Sequence, residues 1–235
     1  GIELGVRFQS SSTGFITGIR FYKTSGNTGT HIGELYNSSG TRLAQVTFSG
    51  ETSTGWQTVL FSSPVAITIN TTYIAAYFSP NGNYISTSNG LATAITNSPL
   101  TALSDGTDGL NGLYRYTNTT AFPNTSFQSS NYWVDVIFSS NQAPTARITG
   151  LDTIQLPISS VLLDGTTSSD PDGTIASYLW ENVSGPNTPT IVSSTSSSTN
   201  ITGLIQGTYV FQLTVADNNG LTGNTTKTVV VNSAL

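Results

Sequence analysis

Six aspartates stand at glycine-, proline- or asparagine-rich turns, and their spacing is the first hint of chemistry in the chain. Asp164, Asp170 and Asp172 fall in LDGTTSSDPDG, and Asp217 opens DNNG further on. Asp105 and Asp108 lie in LSDGTDGLNG, where Asn111 continues the same three-residue interval. Carboxylates gathered at turns are what Ca2+ needs, since it takes roughly six to eight oxygen ligands. The same residues also make Asx-type turns, in which a carboxylate caps nearby backbone N–H groups. The segment around DPDG lacks the twelve-residue spacing of an EF-hand, and both readings stay open. The glycines between Asp105 and Asn111 permit positive φ and turn carbonyls inward, which suits an ion or a polar ligand.

A second constellation is aromatic. Tyr114 and Tyr116 alternate with Arg115 in GLYRY and so share one side of a strand. If that side is exposed, the two rings and a nearby carboxylate form a platform for sugar C–H faces, with Asn111 of the loop as a further candidate contact. If it is covered, they are core. Trp56 in GWQTVLF is kept as a further ring for ligand contact, whereas Trp133 in NYWVDVIF and Trp180 in TIASYLW read as core.

Catalytic constellations are not readable. His31 is the sole histidine and cysteine is absent, which excludes the usual zinc sites, and GTHIGELY places His31 toward solvent. No Gly-x-Ser-x-Gly elbow occurs. The only glutamates are Glu3, Glu34, Glu51 and Glu181, and nothing in the sequence pairs two of them as glycoside hydrolysis requires. A non-enzymatic role is expected.

The elements that must position these residues are strands. Period-two apolar runs alternate with Gly/Asn/Ser turns over residues 14–139: GFITGIRFYK, HIGELYN, TRLAQVTFS, GWQTVLF, VAITIN, TYIAAYF, GLYRYTN and NYWVDVIFS. Strands at this spacing predict an all-β, jelly-roll-like β-sandwich over residues 1–140. SSNQAP breaks the pattern at Pro144, and shorter strands follow over 144–235, as expected of a seven-stranded immunoglobulin-like sandwich. Within it, Tyr209, Phe211, Leu213 and Val215 share a face opposite Trp180.

Composition narrows the partners. Charged residues make up 8% of the chain, against roughly 25% in an ordinary domain. With seven Lys and Arg and a net charge of −5, no basic patch exists for a nucleic acid. No apolar run is long enough for membrane insertion. With no disulfide available, stability must come from the cores. The chain starts at Gly1 without a visible signal peptide and reads as a mature or excised fragment.

Two resemblances add to this reading. Residues 144–232 resemble a PKD-type immunoglobulin-like repeat, through LDGTTSSDPDGTIASYLW, GTYVFQLTVADNNG and the closing VVVN. They depart from it after Trp180, where ENVSGP replaces the usual Asp-Phe-Gly-Asp-Gly-like stretch. Residues 5–138 resemble the bacterial module DUF4082, in GVRFQSSSTGFITGIRFYK, NTGTHIGELYNSSGTRLAQVTF, DGLNGLYRY and FPNTSFQSSNYWVDVIF. The first resemblance implies a spacer or stalk making protein contacts. The second implies company with carbohydrate-active and surface proteins and supplies no catalytic residues.

The expectation is therefore a non-catalytic, extracellular or cell-surface bacterial protein. Its first domain would bind a polysaccharide or surface glycan through Trp56, Asn111, Tyr114 and Tyr116. Asp105, Asp108, Asp164, Asp170, Asp172 and Asp217 are its candidate Ca2+ ligands. The alternative is an adhesive segment of a surface fibre that docks on neighbouring surface-protein domains.

Overall fold

The computed structural model describes residues 1–234, in two compact units, Gly1–Ser140 and Asn141–Leu235. Every regular element in both is a strand, which makes the chain all-β.

The first unit holds β1 (Ile2–Ser10), β2 (Gly14–Lys23), β3 (Ile32–Asn37), β4 (Arg42–Thr47), β5 (Gly55–Ile67) and β6 (Tyr73–Ser79). β7 (Ile95–Asn97), β8 (Leu100–Ala102), β9 (Leu113–Tyr116), β10 (Thr125–Ser126) and β11 (Val134–Ser140) complete it. An eight-stranded sheet runs β10-β9-β1-β6-β3-β4, with the β7–β8 hairpin added through β8 to the far end of β1. A three-stranded sheet, β11-β2-β5, faces it. Ile2, Leu4, Val6 and Phe8 of β1 and Tyr73, Ala75 and Tyr77 of β6 point inward by strict alternation. They meet Ile16, Ile19 and Phe21 of β2 and Val134 and Val136 of β11. Phe21 stacks on Tyr77 at 4.2 Å between ring centroids and takes Phe48 edge-on at 4.9 Å.

A register shift in β2 between Ile16 and Gly18 lets Ile16 and Ile19 face the same core although three residues apart. A Cβ at Gly18 would lie 2.3 Å from the Val59 carbonyl oxygen, so the close approach of β5 there requires glycine.

The outer face of the larger sheet is also covered. Tyr36, Ile74, Ala76 and Leu113 are buried there against Phe122, in the segment that follows β9. Glu3 of β1 and Glu34 of β3 lie on this face, both fully buried. They stand on the two strands that flank β6, so sheet topology brings together two carboxylates thirty-one positions apart.

The second unit is a sandwich of two four-stranded sheets. One contains β12 (Thr149–Gly150), β14 (Ser160–Asp164), β16 (Thr190–Ile191) and β17 (Ser198–Thr202). The other contains β13 (Thr153–Gln155), β15 (Ile175–Ser184), β18 (Gly207–Asp217) and β19 (Thr222–Asn232). The short β13, parallel to β19, makes one strand more than the sequence suggests. Trp180 fills the centre, and its indole N–H donates to the Ser196 carbonyl at 2.8 Å. Tyr209, Phe211, Leu213 and Val215 are all buried beside it, as the alternation of β18 requires.

Candidate functional site

Three aromatic side chains of the first unit gather on the three-stranded sheet, two of them exposed. Register places Tyr22 of β2 directly opposite Trp56 of β5, and Arg20 opposite Asp135 of β11. Trp133, just before β11, completes the group. Its ring lies 6.3 Å from Trp56 and 6.4 Å from Tyr22, while Tyr22 and Trp56 meet edge-on at 5.7 Å. Trp56 is 41% exposed and Trp133 37%, so both rings reach solvent.

Trp133 is held there against its backbone preference. It adopts φ of 54°, a left-handed conformation that is a true outlier for a bulky residue. Its N–H donates to Asn131 Oδ1 at 2.8 Å, and its indole N–H donates to Thr87 Oγ1 at 3.0 Å. Thr87 and Asn131 are themselves joined by a pair of backbone hydrogen bonds. Gln128 and Ser129, a few residues earlier, also have positive φ. The strained segment turns Tyr132 into the core and Trp133 out of it.

Beside the rings, Arg20 donates from Nε to Asp135 Oδ2 at 3.0 Å and from Nη2 to the same oxygen at 2.5 Å. Its guanidinium carbon sits 4.8 Å from the centroid of Trp56. The group is thus fixed in position by both an ion pair and a cation–π contact. A cleft of about 500 Å3 opens here, between β11 and the β7–β8 hairpin, with Arg20, Trp56, Trp133 and Asp135 in its lining. That volume lies within the range of small-ligand sites.

Of the four residues expected to contact a ligand, Trp56 alone belongs to this group. Tyr116 is 74% exposed, but Tyr114 packs partly into the core beside Tyr132, and both stand on the other sheet. Asn111 requires correction as a ligand contact, because it is fully buried and its side chain is spent within the fold. Its Oδ1 accepts from the Arg7 and Gly112 N–H groups, and its Nδ2 donates to the carbonyls of Arg7 and Leu103. It pins the long loop to β1. Trp133, read as core, is instead an exposed ring. His31 is likewise corrected from solvent to interior. Its Nδ1 lies 2.9 Å from both carboxylate oxygens of Glu51 and its Nε2 2.8 Å from Asn27 Oδ1, and Lys23 closes the network on Glu51 at 2.6 Å.

The six aspartates serve turns. Asp105 accepts from the Asn111 N–H and from Ser129 Oγ, and Asp108 accepts from Thr72 Oγ1. Asp164 accepts from the N–H and hydroxyl of Thr166. In the second unit Asp172 accepts from the Gln142 N–H, and Asp217 accepts from Asn141 Nδ2 and from the N–H groups of Asn219 and Leu221. Burial works against the Asp217 carboxylate, but these bonds outweigh it and hold its pKa below the usual range. Asp170 is pushed up by burial, and its Oδ2 has no partner. Among the described residues no three His, Cys, Asp or Glu side chains converge as a metal site. Because five of the six aspartates already accept from N–H or O–H donors, EDTA is expected to leave the calorimetric Tm unmoved. A Tm that falls with EDTA and returns with Ca2+ would contradict this assignment.

With this geometry in hand, comparison with known proteins places the chain. The family described as domain of unknown function DUF4082 matches residues 1–134. The chain belongs to that family. The DUF4082 unit is followed by a match to the K319L-like PKD domain over residues 150–231. The dyslexia-associated protein KIAA0319 homolog of Rattus norvegicus is 42% identical over 92 residues, covering 39% of this chain and 8% of that protein. Its Homo sapiens counterpart, dyslexia-associated protein KIAA0319, is 38% identical over 118 residues, covering 49% and 11%. The chain thus spans about a tenth of the length of these relatives. A solution structure of the PKD domain from KIAA 1837 protein is 40% identical, covering 41% of this chain and 93% of that one, with a TM-score of 0.36. The aromatic cleft lies wholly within the first unit, Gly1–Ser140, with Asp135, Val136, Ile137 and Phe138 of its lining just past the matched residues.

Proposed function

We propose that the chain is a non-catalytic extracellular module in which the DUF4082 unit binds glycans and the PKD unit makes adhesion-type contacts. The observation that carries the glycan reading is the pair of exposed indoles, Trp56 and Trp133, beside a fixed Arg20–Asp135 pair at the mouth of a cleft. Indole faces suit the C–H faces of a pyranose, and a positioned guanidinium and carboxylate suit its hydroxyls. A partly exposed ion pair contributes little to stability, which leaves recognition as what this one is suited for.

Binding without hydrolysis is supported by the carboxylates. Asp135 is the only one in the cleft lining and is held by Arg20. The Glu3–Glu34 pair lies on the outer face of the other sheet, beneath Ala121 and Phe122. The extracellular assignment rests on the PKD match and on the low charge of the chain. Among the described residues no helix is long and apolar enough to cross a membrane.

The test is titration calorimetry of the whole chain against a panel of soluble polysaccharides, alongside Trp56→Ala. Loss of an exposed ring should weaken binding while leaving the unfolding free energy within about 0.5 kcal/mol of wild type. Equal binding by the variant would remove the cleft from the account.

A protein-contact reading for the PKD unit has its own support in β15. This edge strand of ten residues pairs only with β18 and exposes Leu179 and Val183. Apart from the Trp180 N–H, which donates to the Ser194 carbonyl, this edge has no second strand and suits strand addition.

A further inference from the structure

The lining of the cleft is far more apolar than recognition of a bare sugar requires. Past the indoles its walls are Phe8, Leu91, Leu100, Val136 and Phe138, with Ile95, 47% exposed, among the hairpin residues that line it. The polar lining consists of Arg20, Asn97, Ser98, Asn131 and Asp135. Arg20 spends Nε and Nη2 on Asp135 Oδ2, Asp135 Oδ1 accepts from the Val136 N–H, and Asn131 Oδ1 accepts from Trp133, which leaves Arg20 Nη1 and little else of these groups for a hydroxyl. A sugar seated against hydrocarbon walls with so few free polar groups would lose water from its hydroxyls and regain few hydrogen bonds. Hydrocarbon seated there would lose nothing and would bury apolar surface on both sides.

We propose that the ligand of this cleft is an amphiphilic glycoside, a sugar bearing an alkyl or acyl chain. The sugar stacks on Trp56 and Trp133, and the chain lies along Leu100, Val136 and Phe138. The proposal rests on the glycan reading above and narrows it to one class of glycoconjugate. It involves no covalent step.

The experiment titrates the whole chain with methyl, hexyl and octyl glycosides of glucose, galactose and mannose, below micelle-forming concentrations, and with 1-octanol. The expected result is affinity that rises with chain length, by about fourfold for each methylene fully buried. One sugar series should bind more tightly than the others. Ile95→Asn, at an exposed position, should flatten the dependence on chain length, and Trp56→Ala should weaken every member of the series alike. Octyl glycosides that bind no more tightly than methyl glycosides would overturn the amphiphile and leave the glycan reading standing. If 1-octanol matched the octyl glycosides, the sugar would contribute nothing, and both readings would fall. Absence of binding by any probe would also sink both.

Discussion

Raising the pH from 5 to 9 is expected to destabilise the DUF4082 unit steadily, and Glu3→Gln is expected to abolish most of that loss. Glu3 is fully buried on the outer face of the larger sheet. Its Oε1 has no partner, and its Oε2 receives only a long bond from the Ala121 N–H, at 3.4 Å. Glu34 beside it is well supplied, accepting from Arg42 Nη1 and from the Tyr36 hydroxyl, each at 2.8 Å. Burial first, and then the charge of Glu34, push the Glu3 carboxyl from 4.5 up to about 10. Glu3 is therefore the protonated member of the pair. A group whose pKa is raised in the folded state keeps a proton there that the unfolded chain has lost. Its contribution is complete below pH 4.5 and declines as pH rises toward 10.

The slope for one such proton is at most about 1.4 kcal/mol per pH unit, so the loss between pH 6 and pH 9 approaches about 4 kcal/mol. Glutamine keeps the shape of the side chain and carries no charge. Urea unfolding of Glu3→Gln should match wild type near pH 5 and exceed it at pH 9. A flat wild-type profile across this range would mean that Glu3 is not the protonated partner.

The second large effect concerns Trp133. A left-handed conformation costs a residue with a Cβ roughly 1–2 kcal/mol, and glycine avoids that cost. Trp133→Gly should therefore be more stable than Trp133→Ala by about 1 kcal/mol, once the flexibility of glycine in the unfolded chain is set against the gain. Both should lose glycan affinity by roughly thirtyfold, since truncating a central aromatic anchor costs about 2 kcal/mol. Strain and recognition then separate: one substitution relieves the backbone without restoring the ring. Equal stability of the two variants would show that φ at this position stores no strain. Undiminished binding would show that the ring takes no part.

Why Trp133 was not legible is plain in these terms. Parity along NYWVDVIF places Trp133 opposite Tyr132 but does not say which side is inward. The positive φ that settles the matter is imposed by Asn131 and Thr87, and Thr87 lies forty-six positions away. Arg20, Tyr22 and Asp135 were missed for a related reason. They are two-residue steps on separate strands and become a site only through the register of β2 with β5 and β11. A signal for Tyr22 was present, since it sits two residues from Arg20 on the polar side of GFITGIRFYK.

Architecture was more readable, because period-two burial is local. β1 is the instructive omission. Ile2, Leu4, Val6 and Phe8 alternate without a break, yet the intervening Glu3, Gly5 and Arg7 resemble a solvent face. That face is covered by the segment after β9, so the glutamate between two apolar residues marks a buried acid. GWQTVLF and VAITIN, separate in the sequence, join as β5 because Ser62, Ser63 and Pro64 stay extended at the edge of the smaller sheet. The acidic turns were legible as turns. That Asp172 would receive the Gln142 N–H and Asp217 the Asn141 amide depends on contacts thirty and seventy-six residues apart.

The chain contains three tryptophans, and their positions make the central claim directly observable. Trp56 and Trp133 line the cleft, while Trp180 is sealed in the core of the PKD unit. The deciding measurement follows the three indole N–H resonances in an 15N-labelled sample as a binding glycoside is titrated. The Trp56 and Trp133 signals are expected to shift together along one binding curve while Trp180 stays fixed. Saturable binding with both cleft indoles unmoved would place the site elsewhere and contradict it.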